Sequence, residues 1–313
     1  MVDWVLEDTT MDRTEKPQNG RLAQYIENLL ARSSELPMFS QQLVNLLSLQ
    51  TEDPKSARKL IQLVSEDYAL TCKVLRTANS FHYNRSHRAI ESIHRAIFVL
   101  GVATVRNLAS TLICFQPNPS QSTSLQTLMT KSMVSAQVAA VVAEDTGFGD
   151  PEVGYLAAML YNLGEVLVAH HSPAHHRLIQ DQIDAGVARE LASIKELGFA
   201  YDHLASFIGH HWKLSPNISA IWDPRAAKFE IPQLARFANE LTRAMCLQAN
   251  RSGAVALLTM RYGVTLRIKS DDMFDVWERS VLETQEVLTS LGVPFESLGV
   301  PVPKHVAEHT IVL

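Results

Sequence analysis

Apolar residues recur at three- and four-residue spacing along most of the chain, and nowhere do they alternate over a long stretch. That spacing gathers them on one face of an α-helix, whereas a half-buried strand needs a period of two. Leu22, Ile26, Leu29 and Leu30 make one stripe. Leu43, Leu46 and Leu47 make a second, after a break at Leu36-Pro37. A third, through Ala57, Leu60, Ile61 and Val64, follows Asp53-Pro54, where aspartate can cap and proline suits the first helical position. Asp67 offers a cap for a fourth helix with Leu70, Val74, Leu75 and Ala78 on its apolar face. Asn79-Ser80 ends that helix, because short polar side chains compete for backbone hydrogen bonds.

Residues 89–113 carry further stripes around Gly101, and 116–124 (QPNPSQSTS) hold two prolines and almost nothing apolar, which reads as a linker. A long helix is predicted over 125–146, with Gly147 and Gly149 as its cap and turn. Residues 155–171 then read as one central helix striped by Leu156, Met159, Leu160, Leu163, Val166 and Leu167. Helices follow near 174–185, 187–197 and 201–212, then a turn at Ser215-Pro216, a short helix to Trp222, and two or three more between 232 and 291. The fold class is all-α. The organisation predicted is a poorly ordered start (1–19) and one domain over 20–240, whose halves 20–115 and 125–240 flank the linker. C-terminal helices (241–292) and an extended tail (293–313) complete it.

An apolar fraction of 46% and a charged fraction of 19% suit a packed core, and a net charge of −5 gives no global pull toward nucleic acid or anionic lipid. Cys72, Cys114 and Cys246 are scattered in apolar runs, which suggests buried thiols in a reducing cytoplasm. The first residues lack the apolar core of a signal peptide, and no run is long enough to span a bilayer. A soluble, cytoplasmic protein is expected. Phosphate loops, G-x-S-x-G, H-E-x-x-H and CxxC are all absent from the sequence.

The 63–83 stretch, LVSEDYALTCKVLRTANSFHY, resembles the HDOD domain family, through Asp67, Leu70, Val74, Leu75, Asn79 and Ser80, with Tyr68 where that pattern has proline. Ser92, Ile93, Ala96, Ile97, Leu100 and Gly101 match its next phrase. Leu36-Pro37, Asp53-Pro54, Lys131-Ser132, the 156–164 core, Gly198 and Trp212-Lys213-Leu214 fall in order around it. The resemblance spans 36–239 and implies a bacterial signalling or output module related to the HD phosphohydrolases.

HD enzymes hold divalent cations with converging histidines and aspartates. The resemblance puts those positions on Lys131, Tyr161, Asn162, Tyr201 and Asn239, and the later paired histidines near Arg225 and Ala226. A lysine repels a cation, tyrosine is a poor ligand at neutral pH, and an amide brings no charge. No metal, no cofactor and no hydrolase activity are therefore expected, and Asn162 is expected to be hydrogen-bonded in the core. His170, His171, His175, His176, His210 and His211 read as surface or helix-end residues.

One charge asymmetry remains. Between positions 76 and 106 five arginines meet a single acid, Glu91, a local +4 in a chain of −5. Arg76, Asn79, His82, Tyr83, Arg85, Arg88 and Arg95 form a candidate interaction patch, though a solvated face would carry the same charges. Three readings stay open. One is a non-catalytic module that binds a signalling protein in trans; another is a metal phosphohydrolase with unfamiliar ligands. The third is a nucleotide or nucleic-acid binder using the arginines.

Overall fold

The computed structural model describes residues 16–31, 54–80, 82–84, 88–110, 123–246 and 251–290, and every element among them is helical. The first half supplies α1 (Lys16–Ala31), α2 (Pro54–Ser65), α3 (Tyr68–Ala78), α4 (Ile93–Leu100) and α5 (Val102–Ser110). The second supplies α6 (Thr123–Thr146), α7 (Pro151–Leu160), α8 (Leu163–His171), α9 (Pro173–Asp184), α10 (Arg189–Leu197), α11 (Tyr201–His211) and the single turn α12 (Pro216–Ser219). After 3₁₀ turns at Ala220–Trp222 and Pro224–Ala226 come α13 (Glu230–Cys246), α14 (Arg251–Leu266) and α15 (Ser270–Ser290).

The boundaries follow local chemistry. Asp67 accepts the Leu70 amide at 2.8 Å and starts α3; Asp150 does the same for α7 through Val153 at 3.0 Å. Gly101 and Gly147, at φ of 77° and 67°, stop α4 and α6 in a conformation that other residues enter only with strain.

At the centre lies α6, which packs on α7, α13 and α15. Met129, Val134, Ala136, Val138, Ala139 and Val142 are all fully buried along it, so it is apolar on several sides, as befits an interior helix. On the N-terminal side α3 packs on α2 and α4.

Five sequence expectations need correction. The 155–171 stretch is two helices, not one: the chain turns at Tyr161-Asn162 between α7 and α8. There the Tyr161 carbonyl accepts the Trp222 indole N–H at 3.2 Å, and Asn162 sends its amide to Asn239. Helix α6 begins at Thr123, inside the expected linker, and α1 begins at Lys16, inside the expected disordered start. The boundary at 240 falls within the continuous helix α13. The Leu43–Leu47 stripe, the Asp53 cap, most of the linker, Cys114 and the 293–313 tail lie outside the described residues. Of the other cysteines Cys72 is buried, but Cys246 is only partly so, contrary to the expectation of buried thiols.

Candidate functional site

Lys131, Asn162 and Asn239, three positions 108 residues apart at their extremes, line one cavity of about 590 Å³ between α6, α8, α9, α10 and α13. Asn239 fixes its geometry. Its Nδ2 donates to the carbonyls of Ala158 (3.0 Å) and Ala235 (2.9 Å), so its Oδ1 is the atom that accepts from Asn162 Nδ2 at 2.8 Å. The network thereby orients both amides. It leaves Asn162 Oδ1 buried with no partner among the described residues.

A charged pair, Glu165 and Arg189, with its polar neighbours lines another part of the cavity. Glu165 Oε2 receives the Arg189 Nε–H at 2.8 Å, while Glu165 Oε1 takes the Gln180 amide at 3.0 Å and lies 3.4 Å from His176 Nε2. Burial pushes the Glu165 carboxyl up, but the Arg189 charge and then the His176 contact outweigh it and hold the group at about 2. Burial in turn depresses Arg189, yet Glu165 and Asp202 more than offset it and raise the guanidinium above its ordinary value. Tyr201 lies under this cation, its ring centroid 4.9 Å from the guanidinium carbon. Burial pushes its phenol up, and its hydroxyl has no partner among the described residues.

Thus three of the five positions marked by the resemblance line the cavity, Tyr201 packs on Arg189, and Tyr161 contributes a carbonyl to the α7–α8 turn. The donor set does not suit a divalent cation. One position is an ammonium group, Asn239 Oδ1 is already taken by the Asn162 amide, and an amide oxygen brings no charge to offset a cation. Among the described residues no group of three or more His, Cys, Asp and Glu side chains is arranged to hold a metal. Sequence reasoning missed Glu165, His176 and Arg189. Glu165 was visible as the single acid in the apolar run LGEVLVAHH, and His176, expected at the surface, is buried because its ring faces that carboxylate.

The arginine-rich patch divides. Asn79 is not on the surface: its Nδ2 donates to the Leu75 and Ile90 carbonyls and its Oδ1 accepts the Ile90 amide at 2.9 Å, tying the end of α3 to the segment before α4. Arg76 is partly buried over the Trp212 ring, 5.7 Å from its centroid. Tyr83 packs against the core, its ring 4.9 Å from that of His82. His82, Arg88 and Arg95 are exposed, and Arg85 lies outside the described residues. The structure adds Phe98, which sequence reasoning overlooked; it is 89% exposed, three residues from Arg95 and four from His94 on α4.

The described elements define an all-helical fold. The HDOD domain model matches residues 36–223, more than half of the chain, and the protein belongs to that family. Asn239 lies beyond the matched span. The crystal structure of the MmoQ response regulator from Methylococcus capsulatus str. Bath aligns with a TM-score of 0.63 at 19% identity, over 78% of this chain and 98% of that one. A virulence factor from Campylobacter jejuni subsp. jejuni aligns at 0.60 and 18%, over 87% and 98%. At such identities the likeness is one of fold. No curated protein matches the chain in sequence. Among the described residues no helix is long and apolar enough to cross a membrane.

Proposed function

We propose that the protein is a non-catalytic bacterial signalling module of the cytoplasm, which acts in trans by binding another protein. The observation that carries this reading is the Asn162–Asn239 side-chain hydrogen bond beside the same cavity as Lys131, at positions where the resemblance to HD hydrolases puts anionic or imidazole ligands. Side chains that do not suit a cation leave that chemistry without the group that would polarise a phosphoryl group and activate water.

The contact surface proposed is the exposed face of α4 with the loop that leads into it. His94, Arg95 and Phe98 share one face at helical spacing, and Arg88 stands exposed just before them. Arginine and aromatic side chains are enriched where binding energy concentrates. The test is affinity capture from the native cell with wild type and with Arg88→Glu/Arg95→Glu/Phe98→Ala. The variant is expected to lose the proteins that the wild type retains, with unfolding free energy changed by no more than ~0.5 kcal/mol per site, as for exposed positions. Identical capture profiles would refute the surface.

A further inference from the structure

We infer that the cavity between α6, α8, α9, α10 and α13 is a metal-free receptor for a phosphate monoester. Four formally charged side chains line it, and three of them, Lys131, Arg189 and Arg243, are cations against the one carboxylate of Glu165. Glu165 is already committed to Arg189, His176 and Gln180. No carboxylate among the described residues pairs with Lys131 or Arg243. Two basic side chains on neighbouring helices, α6 and α13, thus converge on one concavity without an internal counter-ion.

Charge alone would attract any anion; the remaining lining narrows the class. Arg189 spends Nε on Glu165 and Nη1 on Asp202, and its buried Nη2 has no partner. An orphaned guanidinium N–H calls for an acceptor oxygen, and guanidinium and ammonium groups lining one cavity suit the several acceptor oxygens of a phosphate. A monoester, close to doubly charged at neutral pH, matches the surplus of cations. Asn162, whose buried Oδ1 has no partner, lines the same cavity, and the Thr127 and Gln180 side chains add polar groups that can donate or accept. A ligand that carries hydroxyl or amine groups on its organic part would use these, which free phosphate could not. At about 590 Å³ the cavity exceeds what a bare phosphate fills and falls within the range of small-molecule sites.

Binding should be measured by calorimetry on the full chain in the presence of EDTA, with inorganic phosphate, glucose 6-phosphate and AMP as probes and sulfate as a control. One monoester is expected to bind at one per chain, more tightly than sulfate and more weakly as salt is added. Lys131→Ala and Arg243→Ala should each weaken it about tenfold, the scale of one charge-assisted hydrogen bond. Both variants should unfold at the wild-type temperature, and Lys228→Ala, a surface cation elsewhere, should bind as wild type does. A monoester that binds more tightly than inorganic phosphate supports the receptor as stated, whereas equal affinity would reduce it to a site for free phosphate and overturn the ester. Failure of every probe to bind, or binding unchanged by both substitutions, would overturn the site itself. None of these outcomes touches partner capture by α4, so the two proposals stand or fall separately.

Discussion

Asn79 shows how far a single polar residue can be read. Its position at the end of a helix is legible, because its backbone amide closes α3 on Leu75 at 3.0 Å. Its depth is not legible, because an amide at a helix end serves a solvated turn and a buried latch equally well. Since its side chain satisfies three backbone groups, Asn79→Ala should cost ~2–4 kcal/mol, measured by urea unfolding, with no loss of partner capture in the folded fraction. Glu165 carries a second expectation at this scale. The Arg189 charge and the His176 contact hold its folded carboxyl at about 2, below the ordinary 4.5. A depressed acid contributes its stability fully above the unfolded value and loses it as pH falls toward the folded one. Stability should therefore drop between about 4.5 and about 2, and Glu165→Gln should flatten that limb of the profile while costing stability at neutral pH. An acid limb identical in wild type and variant would show that the Arg189 pair does not form.

At the scale of elements, the helices declared themselves in sequence through period and caps, and the turn at Tyr161-Asn162 did not. Nothing in YLAAMLYNLGEVLVAHH breaks the period: no proline, and its one glycine stands inside α8. The break is tertiary in origin, since Trp222 and Asn239 come from segments about sixty and eighty residues away. The glycine has its own reason. A Cβ on Gly164 would clash with the Tyr201 carbonyl group, so α8 meets the first turn of α11 backbone to backbone. Neither backbone can yield cheaply. Gly164→Ala is expected to destabilise by ~3 kcal/mol or more despite alanine's better helix propensity, as read from the thermal midpoint. A midpoint at or above that of wild type would mean that α8 and α11 are not seated as described.

For the whole molecule, order and spacing of weak phrases were enough to place the chain in its family, and among the described residues Asp67 and Ser92 of those phrases cap helices and Gly101 ends one. The convergence of Lys131, Asn162 and Asn239 was implied only through that resemblance, and the charged side of the cavity was not foreseen. Glu165, His176, Gln180 and Arg189 come from three helices whose relative placement no local pattern encodes. The amide pair also predicts the fate of a reversion. In Tyr161→His/Asn162→Asp a carboxylate oxygen would replace the N–H that now reaches Asn239 Oδ1, so the variant should be less stable than wild type and should gain no hydrolytic activity. Of all measurements, the most direct on the central claim is metal content and phosphodiester hydrolysis on one wild-type sample. The protein should be incubated with Mn²⁺, Fe²⁺ and Mg²⁺ and dialysed before both assays. The account predicts no metal retained in stoichiometric amount and no hydrolysis above the rate without protein. One or more metal ions per chain, with a hydrolytic activity lost on chelation and on Asn162→Ala, would contradict it.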